Sequence, residues 1–331
     1  MFLSPPIRPL IRVCVCFTAT TQQVSNLSPS AHFKLSEGMA DDEQSQLTRR
    51  RTYNVTPLSL FGVEVSGIDL RRPVERETVD VIKEDVARYR LMVFRGQGVI
   101  SAHRQVEISH WFGELDCPFY NHPASAHPEV FRVSNDEHEG CVGVGRTGWH
   151  IDGSFQECPY SHSIYHIISV PSRGDTVFTP LHEVVESLTD EQHSRWDRLY
   201  MVADRRGGLV HPLLYLHPVT GKETLCFHTG MVEAFIWDYG SPDARRTEPG
   251  EIGEILSDIH RQIVRDNRRH VYSHKWREGD FIISDNLAVG HEASLDTQLP
   301  RSQVGLRVMH RTTVKGTHRP RKTQHTSGSS R

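Results

Sequence analysis

No run of eighteen apolar residues occurs anywhere in this 331-residue chain, so no segment reads as a membrane-spanning helix. The six cysteines, Cys14, Cys16, Cys117, Cys141, Cys158 and Cys226, include no C-x-x-C pair, which excludes a zinc ribbon or a thioredoxin-type redox motif. Scattered in this way, they suit a reducing compartment, where thiols behave as small apolar residues. A P-loop pattern is missing, and so is a nucleophile elbow with a Ser-His-Asp set, so neither a P-loop nucleotide site nor a serine hydrolase is indicated. A net charge of −3 lacks the excess of either sign that a nucleic-acid or membrane partner calls for. The partner expected is a small molecule, and the sequence leaves a homo-oligomer open.

Acidic residues are absent before Glu37, whereas Arg8, Arg12 and Lys34 are basic and Ser and Thr are frequent. Residues 1–50 therefore read as a disordered extension. It is either an organellar transit peptide or sequence upstream of a true start at Met39, which points to a cytoplasmic or mitochondrial protein. Residues 316–331 read as a disordered basic tail, leaving 51–315 as one domain.

That domain is rich in short β-friendly runs. "LMVFR" (91–95), "FRVS", "SIYHIISV", "DTVFT" and "GLRVMHRTTV" read as strands. "HPLLYLHPVTGKETLCFH" reads as two strands joined by a turn, and "HVYSHKW", "REGD", "FIISDN" as a second hairpin. Ser101 caps a helix that should run through Phe112 to a stop at Gly113. Thr189-x-x-Gln192 has the form of a capping box, which opens a helix toward Tyr200. "EIGEILSDIHRQIVRDN" is periodic at helical spacing. The pattern predicts a mainly β fold with helical cover, a barrel or jelly roll, and is too irregular for a doubly wound sheet.

Within it, "GWHIDGSF" (148–155) sets His150 and Asp152 two apart. On a strand such residues share a face, roughly 7 Å apart along the chain, and can hold one metal ion. With 21 histidines present, chance pairs also arise, as in His127-Pro128-Glu129, where the proline argues for a loop. A non-haem iron(II) centre needs a second histidine and keeps its other positions open. His291, in "SDNLAVGHEAS", is the candidate, against the alternative of an ordinary loop histidine. Arg307 and Arg311 in "LRVMHR" share a strand face with Met309. If that face is inside, two arginines there need an anionic partner such as a dicarboxylate; the alternative is a solvated edge strand.

These blocks, taken with "LMVFRGQ…FGEL" (91–115), "PSRGDTVFTPL" (171–181), "HPVTGKETL" (217–225) and "GDFIISDNLAVGH" (279–291), resemble the taurine dioxygenase/dichlorophenoxyacetate dioxygenase family of Fe(II)- and 2-oxoglutarate-dependent enzymes. The resemblance spans roughly residues 53–315. It implies a double-stranded β-helix, the jelly-roll type. It also implies hydroxylation of a C–H bond of a small, anionic organic substrate, with Fe(II), 2-oxoglutarate and O2 consumed or used and succinate and CO2 released. His150, Asp152 and His291 match the iron ligands. Thr176 and Arg307 match the residues that hold the far carboxylate of 2-oxoglutarate, and Arg311 matches a second arginine near cosubstrate and substrate. The chain departs from taurine-specific members in two places. The stretch after "FGEL" lacks their histidine, His122 coming later, and Arg146 stands where they have asparagine. Arg146, Arg311 and His122 are thus the candidates for substrate contact. Two other readings are a betaine/carnitine-pathway hydroxylase on the same barrel, though no cysteine-rich N-terminal module is present, and a non-catalytic metal-binding jelly roll.

Overall fold

Strands of this protein are apolar on both faces where both faces are covered. In "LMVF", Leu91 and Val93 enter one cluster while Met92 and Phe94 enter another, as the twofold alternation of a strand requires. The computed structural model describes residues 50–145, 148–204 and 207–322. In chain order the strands are β1 (Asn54–Pro57), β2 (Val63–Ser66), β3 (Leu91–Phe94), β4 (Leu115–Asp116), β5 (Phe131–Ser134), β6 (His162–Ser169), β7 (Thr176–Pro180), β8 (Leu199–Ala203), β9 (Val210–Pro212), β10 (Leu214–Leu216), β11 (Glu223–Leu225), β12 (Val232–Trp237), β13 (Arg245–Arg246), β14 (Tyr272–His274), β15 (Phe281–Asp285), β16 (Val289–Ala293) and β17 (Val308–Val314).

The larger sheet runs β1-β2-β3-β15-β6-β17-β4, with β5 also on β17. Facing it is β14-β7-β16, continued by single bridges from His291 to His150 and from His150 to His228. Between the two lies an apolar cluster that includes Val93, Tyr165, Ile167, Phe178, Val289 and Met309. Helices Arg76–Tyr89 and Ala102–Ser109 cover the outside of the larger sheet. The smaller sheet is backed by helix Pro249–Arg268 and the β13-β12-β8-β9 sheet. That helix buries Ile255, Ile259, Gln262 and Ile263, the stripe its sequence spacing predicts. Among the described residues no helix is long and apolar enough to cross a membrane.

Several local expectations hold. Ser101 accepts from the Arg104 amide at 3.1 Å, and the Thr189/Gln192 capping box is formed. β10 and β11 make the expected hairpin. Both capped helices are shorter than expected, ending at Ser109 and Asp197, with β8 starting at Leu199. The second hairpin does not form. β14 pairs with β7 in one sheet, whereas β15 pairs with β3 and β6 in the other. The turn between them is pressed against another loop, since a Cβ on Gly279 would lie 2.3 Å from the Gly98 amide nitrogen, and that contact carries the chain across. β17 is no solvated edge; it lies between β6 and β5. Residues 316–322, expected to belong to a disordered tail, lie against the domain: the Arg321 carbonyl accepts from the Leu216 amide, and Lys322 pairs with Asp197. The rest of that tail and residues 1–49 fall outside the described residues.

Candidate metal centre

The local fold of "GWHIDG" explains how two ligands reach the barrel interior. Trp149 and Ile151 alternate with His150 and Asp152, and the apolar pair is buried in the cluster behind the smaller sheet. His150 and Asp152 consequently face inward. The segment is barely a strand. His150 exchanges backbone bonds with His291, Ile151 donates to the Phe227 carbonyl, and a turn begins at Asp152. Gly153 in that turn has φ +74, and a Cβ there would lie 2.7 Å from the Tyr160 ring. Asn286 secures the turn, accepting from the Asp152 amide at 2.8 Å and donating to the Asp152 and Tyr160 carbonyls.

His291 lies within β16 rather than in a loop after a strand. Ligand atoms of His150, Asp152 and His291 all fall within 4.8 Å of one another, and the three residues are buried. Asp152 oxygens stand 3.9 Å from His150 Nε2 and 3.5 Å from His291 Nε2. His150 Nδ1 donates to the Gly148 carbonyl at 2.7 Å, which leaves Nε2 with its lone pair toward the site. Burial keeps both imidazoles neutral, and with His150 alongside it pushes His291 down to about 3. Burial works against the Asp152 carboxylate, but Arg311, the two histidines and the Ser163 hydroxyl outweigh it and hold it well below the usual range. Two neutral imidazoles and one ionised carboxylate form a facial donor set suited to a non-haem iron(II).

Side chains line up across the barrel in facing rows. On the smaller sheet Phe178, His291, His150 and His228 are register partners in turn. On the larger sheet the row is Ile282, Tyr165, Arg311, Phe131. Arg311 Nη1 donates to Asp152 Oδ1 at 2.8 Å, its guanidinium lies 5.1 Å from the Phe131 ring centre, and its Nε has no partner. Two residues along β7 from Phe178 comes Thr176, and four residues before Arg311, just ahead of β17, comes Arg307. Arg307 is 3% exposed, with a contact to Met309 Sδ at 3.6 Å and, among the described residues, no partner for Nε. Burial lowers its pKa to about 10. An unrelieved buried cation of this kind fits the carboxylate of a dicarboxylic acid. Thr176 Oγ1 accepts from Trp276 Nε1 at 3.0 Å, which leaves its own O–H free to donate.

Sequence reasoning missed Tyr165, Trp276, Asn286 and His228. His228 stacks on His150 with ring centres 4.4 Å apart, and burial together with His150 pushes it down to about 2. Its only sequence signal is its place after the apolar run "TLCF". His122, expected near a substrate, bonds through Nε2 to the Glu137 carbonyl, beyond β5, and through Nδ1 accepts from the Ala124 amide. Arg146 lies outside the described residues.

Residues 54–313 match the model of the taurine catabolism dioxygenase TauD, TfdA family. The chain belongs to this family. It is 27% identical over 270 residues to the alpha-ketoglutarate-dependent 2,4-dichlorophenoxyacetate dioxygenase of Cupriavidus pinatubonensis, covering 70% of this chain and 88% of that protein. It is 24% identical over 282 residues to the alpha-ketoglutarate-dependent sulfonate dioxygenase of Saccharomyces cerevisiae, covering 75% of this chain and 64% of that protein. A crystal structure described as a taurine dioxygenase from Burkholderia xenovorans superposes with a TM-score of 0.65 at 27% identity, covering 80% of this chain and 92% of that one. The fold is accordingly the family's jelly roll, and this member of the TauD, TfdA family is a 2-oxoglutarate-dependent oxidoreductase that uses Fe(II) and O2.

Proposed function

We propose that this dioxygenase hydroxylates a C–H bond of a small organic anion, with named residues dividing the work. His150, Asp152 and His291 hold Fe(II). Arg307 and the Thr176 hydroxyl hold the far carboxylate of 2-oxoglutarate, and Trp276 keeps the Thr176 oxygen an acceptor so that its hydrogen points to that carboxylate. When bound, iron with 2-oxoglutarate and O2 supplies the oxidising power: one oxygen atom enters the substrate, the other enters succinate, and CO2 leaves. The chain itself orients the ligands, excludes water with the apolar cluster and places the substrate.

The observation that carries the substrate class is Arg311. It spends one N–H on Asp152 and keeps further donors beside the metal ligands, its Nε among them. With iron and the 2-oxoglutarate dianion in place, Asp152, Arg307 and Arg311 leave one net positive charge, which a monoanionic substrate neutralises. Relatives named for a sulfonate and for 2,4-dichlorophenoxyacetate act on anions, which agrees. A betaine-type cation would meet Arg311 with like charge. The test is a screen of sulfonates, sulfate esters, carboxylates and trimethylammonium compounds for stimulated succinate release. Stimulation by anions is expected, and stimulation by cations alone would refute this reading. We also propose a reducing compartment, cytoplasm or mitochondrion, in keeping with the free Cys117, Cys141, Cys158 and Cys226; cell fractionation tests it.

A further inference from the structure

Tyr165 stands in the row that faces the metal ligands. It is 3% exposed, its ring meets Phe178 and His291 edge-on at 6.1 and 5.8 Å, and its hydroxyl lies 3.2 Å from His291 Nε2. That nitrogen is also the one 3.5 Å from Asp152, hence the one directed at the metal. Bound metal takes its lone pair, and the phenol, which is buried, must then donate elsewhere. Asp152 accepts from Arg311 on Oδ1 and from the Ser163 hydroxyl on Oδ2, and the phenol also lies within hydrogen-bonding reach of Asp152 and Ser163; a bound metal takes a further lone pair of that carboxylate and leaves it the poorer acceptor. The cosubstrate brings new acceptors to this spot. Its far carboxylate is placed at Thr176 and Arg307, and Thr176 is a register partner of Ala293, two residues along β16 from His291. The molecule must therefore run back along Ile167 and Met309 to the metal row, where Tyr165 is the register partner of Arg311.

We propose that the Tyr165 hydroxyl donates a hydrogen bond to the metal-bound end of 2-oxoglutarate, at its 1-carboxylate or 2-oxo oxygen. This rests on the cosubstrate placement given above. It makes Tyr165 a third binding residue for 2-oxoglutarate, at the opposite end from Arg307. Phenol and guanidinium, side by side on β6 and β17, then divide the row: Tyr165 faces the cosubstrate, and Arg311 stands between it and Phe131.

The test uses the full chain loaded with Fe(II) without oxygen, as wild type and as Tyr165→Phe, with Tyr165→Leu as a second apolar variant. Metal affinity is measured first without 2-oxoglutarate. 2-Oxoglutarate is then titrated while the visible charge-transfer band of its iron complex is followed. We expect unchanged metal affinity, a 2-oxoglutarate dissociation constant raised about tenfold, as loss of one donor to a charged acceptor implies, and a displaced band maximum. The band reports electron density on the chelating oxygens, which a purely structural tyrosine would not alter. An unchanged dissociation constant and band would overturn the proposal. So would a fall in metal affinity alone that accounts for the whole loss, because Tyr165 would then act through Asp152 or His291. Absence of the band in wild type would overturn the cosubstrate placement itself, and this proposal with it.

Discussion

Arg307→Met removes a charge while keeping a long, unbranched side chain, so it separates binding from packing. The guanidinium it replaces is 3% exposed and has no carboxylate partner among the described residues. Burial lowers its pKa from 12.5 to about 10. At about 1.4 kcal/mol per tenfold, that depression corresponds to about 3 kcal/mol of desolvation that neighbouring groups do not relieve. A bound carboxylate relieves it, and removing one partner of a buried ion pair costs about 3–5 kcal/mol. Affinity for 2-oxoglutarate should then fall by about two orders of magnitude or more. Stability without ligands should move the other way, unchanged or raised by up to about 3 kcal/mol, since a buried cation gives way to an apolar chain. Anaerobic titration of the iron complex reads the first quantity, and chemical unfolding of ligand-free protein reads the second. A loss of affinity below tenfold would remove Arg307 from the cosubstrate site. A variant that binds weakly because it is destabilised would refute the claim that its charge lacks a partner.

Asp152→Ala should abolish turnover and weaken iron binding while the fold, checked by circular dichroism, persists; near-normal activity would remove the metal centre. Thr176→Val should weaken 2-oxoglutarate binding by about 1.5–3 kcal/mol and Trp276→Phe by about 0.5–1.5 kcal/mol. In a double-mutant cycle Trp276→Phe should be silent once Thr176 is valine, and additivity would show that Trp276 does not act through that hydroxyl. His310, buried on the outer face of β17, is pushed down from 6.5 to about 3 by burial, then by Arg132 and His166. The unfolded chain therefore binds its proton first, so its contribution is whole above pH 6.5 and is lost as pH falls toward 3. By pH 5 the loss should be about 2 kcal/mol. Urea unfolding of His310→Gln should show a shallower decline, and an equal slope would refute this.

His150 and Asp152 were legible through alternation in "GWHIDG", and Arg307 and Arg311 through charge on an otherwise apolar strand in "LRVMHR". Alternation cannot say which face of a uniformly apolar strand is inside, and that is why Tyr165 in "SIYHIISV" went unassigned; its partners Arg311 and Ile282 are 146 and 117 positions away in sequence, and only register brings them together. "HVYSHKW…FIISDN" was misread because a short polar turn is the usual mark of a hairpin, and the crossing between sheets depends on a contact with Gly98 that lies far off in the chain. His122 drew notice by residue type alone, and its ring bonds to the Glu137 carbonyl and the Ala124 amide.

The ligand segment itself shows how a site is held without a regular ladder. Only single bridges tie His150 to its neighbours. Trp149 and Ile151 therefore anchor it, at 1% and 0% exposure. Truncating such buried side chains typically costs about 2–5 kcal/mol, far more than the hydrogen bonds of one bridge. Asn286 adds three bonds at the point where the chain turns away. It directly follows β15, on the opposite sheet, so the backbone of Asp152 is referenced to one sheet through Asn286 and that of His150 to the other through His291. The distance between these ligands is then set by the packing of the two sheets on the cluster between them. A metal held here is thus gripped between the two sheets, while Arg311 and Tyr165, which point in from β17 and β6, remain for the ligands that come and go.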